Sequence, residues 1–346
     1  MIKRSHITIQ NIAISAGVSK TTVSRFLNAK YEYMSEATRK NIEDVILRTG
    51  YRPNKIAGSL KTAKSDLIGL VLANPAANLT PFLIGSICDS CTSNGQKMIV
   101  VTTHDNEERE REQVLSLLDQ QVDGLIVTTG GNNDFYTDLD ARLIPVVLAD
   151  RISANSSLDW VAVNHYEGTA KVINFLIEQG YEYFVSVTRA TRSNKGTIAI
   201  REQSVEDICQ SRFGDQNHSK RMLVQEGEEG CLNLGILDCI KECYSKSKEL
   251  PTAIFIADGI LMGRFVCGIY KLGLDISDNF TLGGYDIWNF GCQLSKEICT
   301  IDQPLFKLGT IASDLLISRL ENKGKREIPN HILLDCKVTL PNPYNK

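Results

Sequence analysis

The chain has 346 residues, 38 Lys+Arg against 41 Asp+Glu, a formal net charge of −3, and 42% hydrophobic with 23% charged residues. That length exceeds one compact core and implies two or three folding units of ordinary globular composition. No run approaches the roughly 18 apolar residues of a membrane helix, which argues against a membrane-spanning chain. The opening Met1 to His6 leads into polar Asn11, Ser15 and Ser19 rather than an apolar segment with a cleavage site, so no secretory signal is read and the cytoplasm is the expected compartment.

Charge is unevenly placed. Residues 1–64 hold 12 Lys+Arg and 4 Asp+Glu, a net of +8; with −3 for the whole chain, residues 65–346 carry −11. A basic head of this size suits attraction to phosphates, and the acidic remainder does not.

In chain order, Ile9, Ile12, Ala13 and Ala16 recur with helical spacing behind Thr8 as cap. Gly17 supplies a turn, and a second helix begins at the cap Ser19 with Val23, Phe26 and Leu27 facing inward. Two short helices sharing one small core through a glycine bend predict a helix-turn-helix. The outward set Lys20, Thr21, Ser24 and Arg25 is rich in donors that hydrogen-bond base edges when such a helix lies in a major groove. Asn28 to Tyr33 reads as a loop, Ser35 caps a third helix with Ile42, Val45 and Ile46 buried, and Gly50 ends it. Pro53 blocks continuation, and Asn54 caps a helix of barely two turns through Thr62. So short a helix, weakened by Gly58, is marginal alone in water and is expected to fold only on DNA.

From Leu67 the texture alternates. Strands are expected at 67–73, 97–102, 124–128, 146–149, 183–187, 253–257 and 281–285, with helices at 82–93, 107–120 and 166–179. Apolar strands between helices predict parallel sheets covered on both faces, and about 270 residues of this pattern point to two doubly wound lobes with a ligand cleft at the strand carboxyl ends. The fold class is therefore an all-α helix-turn-helix head followed by an α/β body. Of the ten cysteines, the lone C-x-x-C at Cys88 and Cys91 and the pair Cys239 and Cys243 read as reduced core thiols; no metal or cofactor is expected.

The runs Thr8-Ile9-Gln10-Asn11-Ile12-Ala13, Ala16-Gly17-Val18-Ser19, Thr22-Val23-Ser24-Arg25 and Gly50-Tyr51-Arg52-Pro53-Asn54, with Asn28, Thr38-Arg39, Ala57 and Leu60, carry a resemblance to the LacI/GalR family of transcription regulators. Looser matches at Asp123-Gly124-Leu125-Ile126, Asp150-Arg151, Gly284-Tyr285-Asp286 and Thr300-Ile301-Asp302-Gln303-Pro304 extend it through the body. The resemblance implies lobes of the periplasmic-binding-protein-like type joined by three crossovers. It divides the chain into a DNA-binding head at 1–53, a hinge helix at 54–64 and an effector-binding and dimerisation body at 65–340. Lobe one would be 65–162 and 292–323, and lobe two 163–291 and 324–340.

The resemblance also implies that Lys20, Thr21 and Arg25 reach bases while Thr8, Ser19, Thr22, Asn28 and Ser35 steady the head on phosphates, with Ser24 and Lys55 completing the DNA-binding set. Leu60 beside Ala57 would wedge into the minor groove at the operator centre. One such head reads few base pairs, so a homodimer on a pseudo-palindromic double-stranded operator is expected. The absence of apolar heptads in the last residues argues against a tetramerising coil.

For the effector, the matching positions are Asp150, Arg201, Asp258, Asp286 and Gln303, with Phe82 or Trp288 able to stack on a sugar face. The family's common Asn-Asp pair reads Ala257-Asp258 here, and Ser204 stands where a glycine is usual. The segment Arg189, Arg192, Ser193, Asn194 and Lys195 holds three cations, pointing to a sugar acid or sugar phosphate; a solvated surface loop is the alternative. No G-x-S-x-G, Walker, G-x-G-x-x-G or H-E-x-x-H motif appears, the histidines are scattered singly, and Gly130-Gly131 reads as a loop turn, so no catalytic residues are expected. The rival is a sugar-binding protein of the same fold without operator-specific regulation. The expected mechanism is ligand-linked DNA binding, in which lobe closure changes the separation of the two hinges.

Overall fold

The computed structural model describes residues 7–52, 64–75, 77, 79–129, 134–142, 144–151, 157–190, 196–214, 217–224, 234–276, 279–286, 298–322 and 328–341. The expected hinge helix with Lys55, Ala57 and Leu60, the Gly130-Gly131 turn, Arg192 to Lys195 and Trp288 lie outside the described residues. The chain divides into two units, Met1–Ser65 and Asp66–Lys346.

In the first unit, α1 (Ile9–Ser15), α2 (Lys20–Leu27) and α3 (Glu36–Thr49) close on Ile12, Ala13, Ala16, Val23, Ile42 and Val45. Thr8 forms a reciprocal capping box with Asn11, and Ser19 and Ser35 accept from the backbone amides of Thr22 and Thr38. Gly17, at φ +65°, makes the bend between α1 and α2, a left-handed conformation that glycine enters without a Cβ penalty. Asn41 donates its side-chain amide to the Ala16 carbonyl at 2.8 Å, which ties α3 to the end of α1. The expected loop before Ser35 contains a 3-10 turn at Tyr31–Tyr33.

The second unit holds two six-stranded sheets. Lobe one orders its strands as β11 (His331–Leu334), β5 (Asp159–Val163), β4 (Val146–Ala149), β3 (Gly124–Thr128), β1 (Leu67–Leu72) and β2 (Lys97–Thr102), all parallel. Lobe two orders β12 (Lys337–Thr339), β10 (Cys299–Asp302), β9 (Phe280–Tyr285), β8 (Thr252–Ile256), β6 (Tyr183–Arg189) and β7 (Ser219–Val224), parallel except for the β10–β12 pair. The helices of lobe one are α4 (Thr80–Ser93), α5 (Glu107–Asp119), α6 (Asp134–Arg142) and α11 (Leu305–Glu321). Those of lobe two are α7 (His165–Glu178), α8 (Gly196–Phe213), α9 (Leu234–Lys246) and α10 (Gly259–Leu272). Each sheet is buried on both faces, which is why β1, β3, β4, β8 and β9 are runs of apolar and small residues.

Two crossovers fall later than the expected boundaries at 292 and 324. β10 stays in lobe two because Thr300 registers with Gly284 on β9, and the chain returns to lobe one only for α11. β11 stays in lobe one because His331 registers with Trp160 on β5, and only β12 returns to lobe two. Hydrogen-bonded register, which short strands of three or four residues do not advertise by composition, decides both. Among the cysteines, Cys91, Cys239 and Cys243 are buried but Cys88 is exposed, so the core-thiol reading does not extend to it. No helix among the described residues is long and apolar enough to cross a membrane.

Candidate functional site

On the head, the outward start of α2 presents Lys20, Thr21 and Arg25 exposed, with Thr22 and Ser24 half-buried beside them. Arg25 lies 4.8 Å over the Tyr33 ring, which limits the swing of its guanidinium. The small polar residues hold this face in shape. Ser19 Oγ pairs with Thr22 Oγ1 at 2.9 Å, Ser35 Oγ pairs with Thr38 Oγ1 at 2.9 Å, and the Asn28 amide donates to the Ser24 carbonyl at 2.7 Å. Thr8, Ser19 and Ser35 thus mark helix starts, where free backbone amides face outward and favour anions.

In the body, Asp150, Arg201, Asp258, Asp286 and Gln303 are brought to the carboxyl ends of the strands. Asp150 follows β4 at φ +70° and Asp286 follows β9 at φ +59°, a left-handed backbone that aspartate tolerates better than most residues. The Asp150 amide donates to the Val161 carbonyl and that of Asp286 to the Ile301 carbonyl, so each turn is pinned by the neighbouring strand. Arg201, in the second turn of α8, donates to the Ala257 carbonyl at 2.7 Å and stacks with its guanidinium carbon 3.6 Å from the Tyr285 ring centre. Gln303 donates to Asp286 Oδ2 at 2.8 Å. Asp258 caps α10 through Oδ1 to the Ile260 amide and receives Arg189 on Oδ2 at 3.0 and 2.6 Å. Phe82, in the first turn of α4 behind β1, is 43% exposed.

Two findings modify the sequence reading. Arg189 is not a loop cation but the last residue of β6, buried and paired with Asp258, so one of the three charges held to favour an anionic ligand is compensated internally. His165, passed over as a scattered histidine, opens α7 and stands at the centre of the cluster. Its Nδ1 faces Arg201 Nε and Nη2 at 3.4 and 3.3 Å, and its Nε2 lies 3.7 Å from Asp150 Oδ1. The only signal in the sequence was its position directly after Asn164, the residue that caps α7.

The electrostatics of the cluster are mixed. Burial and the Arg201 charge lower the His165 ring to about 4, against the pull of Asp150, so it is neutral at physiological pH. Burial raises Asp150, but His165, Arg151 and Arg201 outweigh it and hold the carboxyl below its usual range. Burial raises Asp286 to about 7, opposed by Arg201 and Gln303 and reinforced by Asp258 and Asp302. Among the described residues, Asp150 Oδ1, His165 Nε2, Asp286 Oδ1 and Gln303 Oε1 are buried without a hydrogen-bond partner. Four such atoms in one cluster offer hydrogen bonds to a polar ligand.

Residues 8–54 match the bacterial regulatory proteins of the lacI family, and residues 65–259 match the periplasmic binding proteins and sugar binding domain of the LacI family. The HTH-type transcriptional regulator KdgR of Bacillus subtilis (strain 168) is 30% identical over 340 residues, covering 97% of each chain. The chain belongs to the LacI family. The HTH-type transcriptional regulator PtxS of Pseudomonas plecoglossicida is 32% identical over 321 residues, 92% of this chain and 90% of that one. The lac repressor dimer bound to operator and the anti-inducer ONPF superimposes with a TM-score of 0.79 at 21% identity, covering 96% of this chain and 98% of that one, a likeness of fold. This LacI-family chain is a transcription regulator with a DNA-binding head and a ligand-binding body, not an enzyme.

Proposed function

We propose that this regulator acts in the cytoplasm as a dimeric repressor, gripping a pseudo-palindromic operator and releasing it when a sugar or sugar acid occupies the cleft between its lobes. The proposed division is a head at 1–53, a hinge at 54–64 and an effector body at 65–340. In the head, Lys20, Thr21, Ser24 and Arg25 address base edges, while Thr8, Ser19, Thr22, Asn28 and Ser35 address phosphates. Lys55, Ala57 and Leu60 carry the hinge contacts of this reading.

The observation that carries the effector reading is the set of buried atoms around Arg201 that have no hydrogen-bond partner among the described residues: Asp150 Oδ1, His165 Nε2, Asp286 Oδ1 and Gln303 Oε1. Three of them accept hydrogen bonds, which matches the hydroxyls of a polyol rather than a fully anionic ligand. Arg201, Arg192 and Phe82 complete the binding set, with Asp258 acting through Arg189. A carboxylated sugar satisfies both halves, placing its hydroxyls on the acceptors and its acid group toward the cations; a sugar phosphate does the same with a larger head. Calorimetry with D-glucose, D-gluconate and D-glucose 6-phosphate separates these choices. Preference for the neutral sugar removes the acid proposal, and binding of no polyhydroxyl compound removes the effector reading.

A further inference from the structure

The cleft contains one pair of atoms that belongs to neither lobe alone. Asp150 follows β4 in lobe one, and His165 begins α7 in lobe two; both side chains are buried, and Asp150 Oδ1 and His165 Nε2 stand 3.7 Å apart with no hydrogen-bond partner on either among the described residues. That separation is too long for a direct hydrogen bond. The identity of the missing group follows from proton bookkeeping. Arg201 can only donate, so His165 Nδ1, facing its Nε and Nη2, must accept, and the neutral ring carries its proton on Nε2. Across the gap, the Asp150 carboxylate can only accept.

A group that bridges the pair from one side must therefore accept from an N–H and donate to a carboxylate. A hydroxyl does both. A carbonyl or ether oxygen cannot donate, an ammonium cannot accept, and a ligand carboxylate meets Asp150 as a like charge. We propose that His165 and Asp150 together read one hydroxyl of the effector, which accepts from His165 Nε2 and donates to Asp150 Oδ1. The inference rests on the polyol reading of the cleft. Because each partner comes from a different lobe, this hydroxyl also ties ligand occupancy to lobe separation.

The test uses the full chain, titrated calorimetrically with D-glucose, D-galactose, D-gluconate and D-glucose 6-phosphate, then with the monodeoxy derivatives of whichever binds. The wild-type chain is expected to bind one derivative about tenfold to hundredfold more weakly than its parent. His165→Phe is expected to narrow that difference to what the Asp150 hydrogen bond alone supplies, and His165→Gln, which keeps a donor near the Nε2 position, to restore it. An equal weakening toward every derivative in His165→Phe assigns the ring a structural role and overturns the inference while leaving the polyol reading intact. Binding of none of the four compounds by the wild-type chain removes both. Should His165→Phe fail to fold, nitrogen NMR of the wild-type ring decides: the Nε2–H signal is expected to shift when the compound binds, and an unmoved signal or an Nδ1–H ring contradicts the proposal.

Discussion

Ser19 occupies the most consequential position of the head, because its hydroxyl accepts the Thr22 amide and so fixes where α2 starts, which in turn sets where Lys20, Thr21 and Arg25 project. Ser19→Ala is expected to lower head stability by about 1 kcal/mol in chemical denaturation, the usual cost of a lost cap. Arg25→Ala is expected instead to leave the melting curve near wild type and relax base preference at one operator position, with about 1–3 kcal/mol lost from specific binding. Within the proposed effector site, Asp286 is expected to set a pH dependence. Its carboxyl is raised to about 7 by burial, and a ligand hydroxyl on the unpartnered Oδ1 favours the ionised form. Effector affinity is therefore expected to rise about tenfold between pH 6 and pH 8, a slope that Asp286→Asn should flatten in calorimetry. For folding the sign is opposite. The carboxyl's contribution is fully present below its ordinary value of 3.8 and is lost as pH rises through about 7, so Asp286→Asn should gain on the wild type at pH 8.

At the scale of elements, the proposed effector site depends on a close backbone approach at Gly284. A Cβ at Gly284 would stand 2.2 Å from the Ile256 carbonyl oxygen, on the strand that pairs with it, and 2.8 Å from Met262 Cε. The backbone cannot yield there, so Gly284→Ala is expected to destabilise the body by at least about 2 kcal/mol and, by moving Asp286, to weaken effector binding together with the melting temperature. The same scale shows what was legible in the sequence. Continuous apolar runs such as Leu67–Leu72 and Gly124–Thr128, each followed by helical spacing, announced a buried parallel sheet, and the caps Thr8, Ser19 and Ser35 announced three helices. β10, β11 and β12 were not legible as to lobe, since strands of three or four residues owe their place to register with β9, β5 and β10. His165 was hidden for a related reason: a single histidine carries no spacing, and its role arises only where Asp150 and Arg201 converge on it from distant parts of the chain.

For the whole molecule, a head of net +8 and a remainder of −11 separate two tasks by charge. The head supplies phosphate attraction that falls steeply with salt, and the acidic body resists clinging to nucleic acid by itself. Reciprocal linkage then requires that any compound loosening the operator be bound less tightly when operator is present, by the same factor. The most direct test is therefore a set of binding isotherms of the full chain on inverted-repeat duplexes selected from a random library, at 50 and 200 mM salt, with and without a polyhydroxyl compound that calorimetry shows to occupy the cleft. The expected result is a preferred inverted repeat whose affinity falls about a thousandfold or more over that salt range and a further fivefold or more with the compound present. An affinity indifferent to the bound compound, or no preference among inverted repeats, would contradict ligand-controlled operator binding.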